Sequence, residues 1–397
     1  MFIPMPYSSN IWKMYMYRLL LSFHFIGGIL VPFFMDWGGI SFTQLMLLQS
    51  VFVFSIFLLE VPTGAIADHF GRKTSLVLSG LFTAASAIVY TLFPSIYLFI
   101  IGEILWATGF ALMSGADDAI IYDTLKHSKS EKSSKKVFGR YSSFELIGIS
   151  VAAPIGSVIA AFFGLKYAVL LMAIPFLGAS LVALSLKEPK IKARKIKESK
   201  RYLDTLVSGM KYFKNHKVLQ ILAFDRISTA VLVFFIIWTY QPLLKLLGVP
   251  LLYFGFIHMA IGGVQVGFMN NFTRLEKLFG SKKRYLLWSA LITGVCFIWL
   301  GFNTYVPLTI VLLTLIGGFG LSRYVLFQSY YNKYIESHNR ATVISTMSMV
   351  DRFIRALAYP LIALLVEWSL TSTLIILGVA IISVAFISRV EEKHLLD

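Results

Sequence analysis

Cysteine is almost absent from this chain, and charged residues are scarce. The single cysteine, Cys296, cannot form an internal disulfide, so disulfide cross-links do not hold the fold together. Charged residues make up 14% of the 397 residues, whereas hydrophobic residues make up 57%. A soluble globular protein carries about 25% charged residues. The shortage of charge therefore excludes an ordinary soluble domain and predicts a protein that crosses a membrane many times.

Motifs for nucleotide chemistry and hydrolysis are also missing. The sequence contains no G-x-x-x-x-G-K-[ST], no G-x-G-x-x-G and no G-x-S-x-G, and no Cys, His or acidic cluster has metal-ligand spacing. We therefore expect no ATP-driven pump, no enzyme, no cofactor and no metal site. No short apolar run with a small-residue cleavage site stands at the start, so no removable signal peptide is expected.

Long apolar runs divide the sequence into segments that can each cross a bilayer, which takes roughly 20 residues of helix. Twelve spans are predicted, which makes the chain an all-α membrane protein with both termini on one side. In order, the predicted spans are 13–35, 43–67, 74–93, 96–124, 141–163, 166–187, 218–245, 250–273, 285–303, 306–334, 341–366 and 368–389.

The basic residues set the predicted orientation. Thirty of the 36 Lys and Arg residues lie in or beside the segments on one side of the spans, and only Lys166 and Lys245 lie on the other. Such an excess marks the cytoplasmic side, so we predict cytoplasmic termini in the cell membrane. The net charge of +16 is thus a topology signal, and the bilayer, rather than a nucleic acid, is the expected partner.

The two halves of the sequence resemble each other. A shift of 208 places Arg18 over Arg226, and a shift of 206 matches Glu145 with Asp351. Similar offsets in separate spans indicate two six-helix repeats, an architecture typical of secondary transporters. We predict one six-helix bundle over 1–187, a basic linker over 188–217 and a second bundle over 218–397. In the linker, an interfacial amphipathic helix is predicted from Leu203, Leu206, Val207, Met210 and Phe213.

The connection between spans 2 and 3 reads GAIADHFGRK, residues 64–73. We call this segment the gate motif. Together with the two halves, it resembles the G-x-x-x-D-x-x-G-R-K signature of the major facilitator superfamily, and the resemblance covers essentially the whole chain. Within that family the motif is most similar to that of exporters of the drug–proton antiporter type. Two features depart from those exporters: Leu105 stands where they keep an arginine, and ISVAAPIGSV at 149–158 keeps little of their glycine-rich run beyond Pro154.

The resemblance implies a cytoplasmic gate. Gly71 suits a tight reversal with positive φ, and Gly64 suits close helix approach. Asp68 is expected at the N-terminal end of span 11, and Arg72 is expected to pair with Asp123. Lys73 completes the signature, and Glu60 shares a helix face with Gly64 and Asp68. A solvated basic turn would explain Arg72 and Lys73 but not Asp68 with the glycines.

Ionisable residues inside the spans are the candidates for proton or substrate binding, because each costs at least roughly 2.5–3.5 kcal/mol to insert. Glu103 lies in the hydrocarbon part of span 4, where a proton-exchanging carboxyl and a structural hydrogen bond are both plausible roles. Asp117 and Asp118 lie near the cytoplasmic end of the same span, where a solvated helix end is the alternative. His24 in span 1 fits a helix contact better than a coupling site.

The remaining candidates lie mostly in the second half. Asp351 and Arg355 are four residues apart on one helix and are predicted to pair. Arg323 in span 10 is the strongest basic candidate for a substrate cavity, with snorkelling to the interface as the alternative. The other intramembrane candidates are Glu145, Asp225 and Arg226.

These features predict a secondary transporter that works by alternating access, and by family resemblance it is expected to act as a monomer. Abundant aromatic residues suit amphipathic organic substrates. The leading hypothesis is proton-coupled export of such compounds, driven by the proton gradient, with Glu103 or Asp118 exchanging the proton. The alternatives are an organic-anion symporter or uniporter that uses arginines, a lipid flippase of the same fold, and a non-transporting receptor.

Overall fold

A computed structural model of the chain describes residues 9–188, 211–335 and 340–395. Within these ranges the ordered elements are α, 3₁₀ and π helices, and no strand is present. We number the membrane-spanning helices α1–α12 and count an interrupted span as one helix. They are α1 (Asn10–Leu21, Phe25–Gly28 and Leu30–Trp37), α2 (Phe42–Phe70), α3 (Arg72–Tyr90), α4 (Ile96–Met113 and Ala116–His127), α5 (Ser134–Phe163), α6 (Leu165–Leu171 and Ala173–Leu184), α7 (Lys217–Phe234 and Ile236–Leu246), α8 (Phe254–Asn270), α9 (Lys282–Phe302), α10 (Val306–Leu315, Ile316–Leu321 and Arg323–Tyr331), α11 (Arg340–Trp368) and α12 (Leu370–Ile387).

The predicted all-α fold with twelve helices is confirmed. In the described ranges, ten helices are long and apolar enough to cross a bilayer, and α1 makes an eleventh if its two bent parts count as one span. α11 has 29 residues, but Asp351, Arg352 and Arg355 place more than two charges in every 18-residue stretch of it. The chain is therefore a multi-pass integral membrane protein.

Five helices predicted as continuous are interrupted in the structure, and α6 and α7 are broken only at the single residues Met172 and Phe235. The other three breaks are larger and lie near glycines. The two parts of α1 are bent by 70°. α4 breaks at Gly115, which adopts a left-handed conformation with φ of +80°. α10 widens into a π segment over IGGFGL, residues 316–321. Apolar length cannot reveal such breaks, whereas glycines near each of these three are a local signal that sequence patterns do carry.

The chain divides into two compact units, which we call the first and second units. The first unit consists of Met1–Ile196 with Leu251–Phe256, and the second of Lys197–Pro250 with Ile257–Asp397. The short segment Leu251–Phe256 joins the first unit because the Gly255 N–H donates a 2.7 Å hydrogen bond to the Ser157 hydroxyl. Of the predicted interfacial helix, only Phe213 lies within the described residues, since 189–210 are outside them.

Small residues bring the helices of each unit into close contact. In the first unit, Gly109 of α4 lies against the Ser79 carbonyl of α3. In the second unit, Gly294 of α9 and Gly378 of α12 face each other across one helix contact. Membrane helices associate through packing rather than hydrophobic burial, so small side chains at contacts are expected. These contacts hold the helices that carry the charged residues described below.

The closest helix approach in the first unit is between α5 and α1. A Cβ atom at Gly156 would overlap the Phe25 carbonyl of α1, and one at Gly148 would lie 2.8 Å from the Leu19 carbonyl oxygen. Ala152, Ala153 and Ser157 on the same part of α5 are buried. This small-residue face allows the 3₁₀ turn of α1 to lie directly on α5.

The substitution Gly156→Ala is expected to lower the thermal stability of the purified protein. The added methyl group meets a backbone carbonyl that cannot rotate away, and overpacking of this kind costs about 1–3 kcal/mol. The matched control is Gly139→Ala in the same helix, where no described atom lies within 4 Å of the added Cβ. Gly139→Ala is expected to leave the melting temperature unchanged or slightly raised. Intrinsic-fluorescence melting in detergent measures both variants, and equal effects would contradict the packing argument.

Candidate functional site

Gly71 forms the turn between α2 and α3 and adopts φ of +95°, so the positive φ predicted for this residue is confirmed. The Glu188 carboxylate, which follows α6, accepts a 2.6 Å hydrogen bond from the Arg72 backbone N–H at the start of α3. A Cβ at Gly71 would lie 2.5 Å from the Glu188 carboxylate oxygen. The turn thus needs glycine both for its conformation and for this carboxylate, which caps the helix N-terminus.

The second unit repeats this arrangement. Gly280 adopts φ of +86° before α9, and the Glu392 carboxylate accepts hydrogen bonds of 3.1 and 2.8 Å from the backbone N–H groups of Lys282 and Lys283. Burial raises the pKa of the Glu392 carboxyl, but the Lys283 backbone N–H, Ser281 and Lys282 outweigh it and hold this pKa below its ordinary value. A carboxylate cap at the start of the third helix is therefore common to both units.

The predicted ion pair between Arg72 and Asp123 is present and links α3 to α4. Both side chains are partly exposed, at 29% and 15%. Asp68 is exposed, and no described atom lies within 4 Å of a Cβ built on Gly64. The close helix approach predicted for Gly64 is therefore not observed in this structure.

The roles predicted for Lys73 and Asp68 of the gate motif, and for Glu60 before it, stay predictions. Lys73 and Glu60 are half-buried. The expected role of Asp68 at the start of span 11 involves Ala341, whose side chain lies outside the described residues.

Four side chains from three helices form a charged cluster inside the first unit, which we call the first-unit cluster: Arg18 of α1, Asp117 of α4, and Tyr141 and Glu145 of α5. The Arg18 guanidinium lies 2.6 Å from the Glu145 carboxylate, and its central carbon lies 5.3 Å from the centroid of the Tyr141 ring. The Tyr141 hydroxyl donates a 2.8 Å hydrogen bond to Asp117. The cluster therefore contains two different acids. Glu145 is paired with Arg18, whereas the side-chain hydrogen-bond donor to Asp117 is the neutral Tyr141 hydroxyl.

The break in α4 explains the position of Asp117. Gly115 ends the first part of the helix, so Asp117 and Asp118 lie in the first turn of Ala116–His127. Carboxylates in a first turn are stabilised by the helix dipole. Asp117 also accepts a 2.8 Å bond from the Asp118 backbone N–H. Because a new helix begins here, Asp117 is 8% exposed and points into the unit, while Asp118 is exposed.

A pocket of about 60 Å³ opens beside the first-unit cluster. Its polar wall includes Arg18 and Glu145, and its apolar wall includes Trp106 and Phe110. The remaining lining residues are Leu21, Ser22, His24, Thr83, Gly109 and Met113. His24 makes edge contacts with Trp106 and Phe176 at centroid distances of 5.3 and 5.8 Å. The pocket thus combines a charged wall with an aromatic wall.

Glu103 lies elsewhere in the first unit. It is 4% exposed and accepts a 3.1 Å hydrogen bond from the Gln49 side chain of α2. It does not line the pocket beside the first-unit cluster. The structure therefore places Glu103 in an interhelical hydrogen bond, which is the structural alternative raised by the sequence.

The second unit buries a charged pair between α7 and α10. Arg323 lies 2.8 Å from Asp225, and both residues are at most 3% exposed. Arg323 also donates to the Leu286 carbonyl and, over 2.5 Å, to the Ser289 hydroxyl of α9. Arg323 therefore binds three groups of its own unit and does not snorkel to an interface.

The predicted pair between Asp351 and Arg355 of α11 is also present, at 2.5 Å. The Arg355 guanidinium lies 4.5 Å from the centroid of the Phe234 ring. Arg226 of α7 differs from these residues: it is 2% exposed and lies over the rings of Tyr324 and Tyr331, at 4.1 and 5.1 Å. Asp225 and Arg226 are therefore neighbours in sequence with different surroundings.

Sequence patterns missed two residues of these sites. Tyr141 is the first residue of the predicted span 141–163, but it is uncharged and follows a basic, polar stretch, so it was not among the ionisable candidates; α5 begins seven residues earlier at Ser134. Glu188 lies in the polar KEPK segment after α6. The sequence signal for Glu188 was the Glu-Pro pair directly after a helix. Such a pair suits a carboxylate that is held near the end of another helix.

Solved structures of transporters have the same fold. The chain aligns with the nucleoside transporter NupG at a TM-score of 0.78 and 14% identity, over 95% of this chain and 98% of NupG. It aligns with a bacterial homologue of the human lysosomal transporter Spinster, in an inward-facing and occupied conformation, at a TM-score of 0.75 and 14% identity, over 99% of both chains. The POT family transporter PepTSo aligns at a TM-score of 0.67 and 15% identity, over 96% of this chain and 97% of PepTSo.

At these identities the structural likeness shows the fold alone, and no curated sequence relative matches the chain. The family model of the Major Facilitator Superfamily matches residues 19–357, which is most of the chain. That match includes the gate motif, Asp117, Tyr141 and Glu145 of the first-unit cluster, and Arg226, Arg323 and Arg355 of the second unit. The protein is therefore a member of the Major Facilitator Superfamily.

Proposed function

We propose that the protein is a proton-coupled transporter of small amphipathic organic compounds. The observation that carries this proposal is the first-unit cluster with its pocket. A buried carboxyl without a cationic partner is readily neutralised by a proton. Asp117 meets that description, because its side-chain hydrogen-bond donor is the Tyr141 hydroxyl and the nearby Arg18 is paired with Glu145.

The geometry gives each residue a role in coupling. Tyr141 contacts Asp117 through its hydroxyl and Arg18 through its ring face. A proton on Asp117 removes a negative charge from one side of Tyr141. A charged or polar substrate group in the pocket acts on Arg18 and Glu145 at the other side. Proton and substrate therefore act on one connected set of side chains, which is the requirement for coupling.

Export is the proposed direction, in exchange for protons. The similarity of the gate motif to that of drug–proton exporters supports it. The small-residue face of α5, packed on α1 through Gly148 and Gly156, keeps the close packing of those exporters in this helix, although little of their glycine-rich run remains beyond Pro154. The aromatic wall of the pocket, with Trp106 and Phe110, supports an amphipathic substrate.

Asp117→Asn is expected to abolish proton coupling, because an amide cannot take up a proton at this position. The matched control is the neighbouring Asp118→Asn, which removes the same charge from an exposed site. Inside-out membrane vesicles with an acidic lumen are titrated with ethidium, taurocholate or chloramphenicol, and proton release is followed with a fluorescent pH probe. We expect Asp117→Asn to lower compound-induced proton release by roughly tenfold or more, a loss of about 1.4 kcal/mol of coupling. Asp118→Asn should change it by less than about twofold.

Equal losses in the two aspartate variants would contradict the proposal, since Asp118 contacts the cluster through its backbone N–H, which the substitution leaves in place, and not through its carboxylate. Full proton release by Asp117→Asn would contradict it as well. Glu103→Gln serves as a further comparison, because Glu103 is buried but hydrogen-bonded to Gln49 away from the pocket. Its variant is expected to lose stability rather than coupling.

The gate motif is proposed to close the cytoplasmic side in one state of the transport cycle. Arg72 and Asp123 supply the ion pair within the first unit, and Gly71 with Glu188 fixes the turn. Asp68 is exposed in this structure, so its contact belongs to another state. The motif thus combines a rigid turn with a side chain that is free to form a second contact.

Two glycine substitutions separate the turn from the proposed gate. Gly71→Ala is expected to lower the melting temperature, because alanine at φ of +95° is strained and its Cβ meets Glu188. Gly64→Leu is expected to leave the melting temperature unchanged, since open space surrounds Gly64 here, yet to reduce transport, because the larger side chain obstructs the closed gate. Melting and vesicle transport are measured on the same preparations. A Gly64→Leu variant with parental transport would rule out the gate role of this position.

A further inference from the structure

Arg226 is a buried cation for which no acid among the described residues serves as a counter-ion. It is 2% exposed, and its Nε and Nη1 atoms are fully buried without a hydrogen-bond partner. An arginine side chain carries five N–H donors, and the faces of Tyr324 and Tyr331 cannot satisfy them as an oxygen would. Cation–π contact stabilises a desolvated guanidinium, but it leaves this hydrogen-bonding capacity unused.

The neighbouring carboxylates are already engaged. Asp225, next to Arg226 in sequence, pairs with Arg323, and Asp351 pairs with Arg355. In the described part of the second unit, no carboxylate forms an ion pair with Arg226. Arg352 of α11 is half-buried and adds a further positive charge. The interior of the second unit thus holds more arginine than acid.

The first unit shows what Arg226 lacks. Arg18 and Arg226 are equivalent in the sequence repeat, and so are Glu145 and Asp351. Arg18 is neutralised by Glu145 at 2.6 Å. Asp351 instead pairs with Arg355, which lies one helical turn further along α11. The repeat therefore preserves the arginine in both units but supplies its counter-ion only in the first.

We propose that Arg226 binds the anionic group of the transported compound, so that the substrate is an amphipathic organic anion. This inference rests on the proposed transport function and names the substrate class for it. A planar guanidinium binds carboxylate, sulfonate or phosphate groups through charge-assisted hydrogen bonds. Tyr324 and Tyr331 beside it supply aromatic surface for the apolar part of the compound. Arg323 and Arg355, the arginines considered from sequence, hold acids of their own unit.

Three probes with one aromatic body test the charge preference: 2-naphthoate, 2-naphthamide and 2-naphthylmethylammonium. Binding is measured by equilibrium dialysis and by thermal shift, with the full chain in nanodiscs of phosphatidylcholine. We expect 2-naphthoate to bind and to raise the melting temperature, and the neutral and cationic probes not to do so. Preferential binding of the cation would overturn the proposal.

The variants Arg226→Gln, Arg226→Lys and Arg284→Gln locate the site. Arg226→Gln is expected to weaken 2-naphthoate binding by roughly tenfold or more, and Arg226→Lys to retain part of it, since lysine keeps the charge but not the planar donors. Arg284 is exposed on α9, and Arg284→Gln should bind as the parent does. Unchanged binding by Arg226→Gln would overturn the proposal.

A structural role for Arg226 makes a different prediction about the ligand-free protein. Because Arg226 is an uncompensated buried charge, Arg226→Gln is expected to raise the melting temperature without ligand, whereas removal of a satisfied structural arginine lowers it. A variant that melts earlier or fails to fold would therefore overturn the proposal.

Addition of phosphatidylglycerol to the nanodiscs distinguishes a free anion from a lipid headgroup. We expect 2-naphthoate binding to persist. Complete displacement by phosphatidylglycerol in an Arg226-dependent manner would assign the site to lipid and overturn the substrate class. Binding does not require a pH gradient, so failure of the Asp117 experiment with intact 2-naphthoate binding would remove proton coupling but not the anion site. Ethidium-induced proton release without 2-naphthoate binding would remove the anion site but not proton coupling.

Discussion

A charge inside an apolar medium needs a counter-charge, a set of hydrogen bonds or a proton, and this requirement organises the interior of both units. Three arginines, of which Arg323 is buried and the other two are half-buried, satisfy it with acids: Arg18 with Glu145, Arg323 with Asp225, and Arg355 with Asp351. Each pair connects helices or fixes a helix face, so the pairs position the neighbouring side chains as well. The residues that do not satisfy the requirement within the protein are the ones to which we assign ligands.

Equivalent places in the two units carry opposite charge. Asp117 is the second residue of the helix that begins after the break in α4, and Arg323 is the first residue of the helix that begins after the π segment of α10. In the first unit an acid at this place lies near an already paired arginine, and a proton can neutralise it. In the second unit Arg323 pairs with Asp225, and no acid among the described residues pairs with Arg226. The proton proposed for Asp117 and the anion proposed for Arg226 would therefore bind in different units.

Much of the architecture could be predicted from the sequence, since apolar length and local geometry determine it. Twelve helices followed from the apolar runs, and the Asp351–Arg355 pair followed from spacing on one helix. The Arg72–Asp123 pair and the positive φ of Gly71 followed from the motif. The direction of side chains near mid-membrane could not be predicted. It depends on helix breaks, because a break changes the direction in which the following side chains point around the helix axis. The phase of an unbroken span 4 favoured Asp118 over Asp117 as the acid that faces the interior, whereas the break buries Asp117 and exposes Asp118.

Some of the charged residues lie close to helix breaks, and for Asp117 this position has a physical basis. A break creates a new helix N-terminus, whose dipole stabilises carboxylates such as Asp117. It also interrupts the backbone hydrogen bonds, so the parts on either side can tilt at a smaller cost than an intact helix would require. α1 breaks four residues after Arg18, and α7 is interrupted between Phe234 and Ile236, after Arg226. Binding sites in transporters commonly lie at such discontinuous helices. In this protein Asp117 and Arg323 lie in the first turn of the helix that follows a break, so a change of charge at either residue would act beside an interruption of the backbone hydrogen bonds.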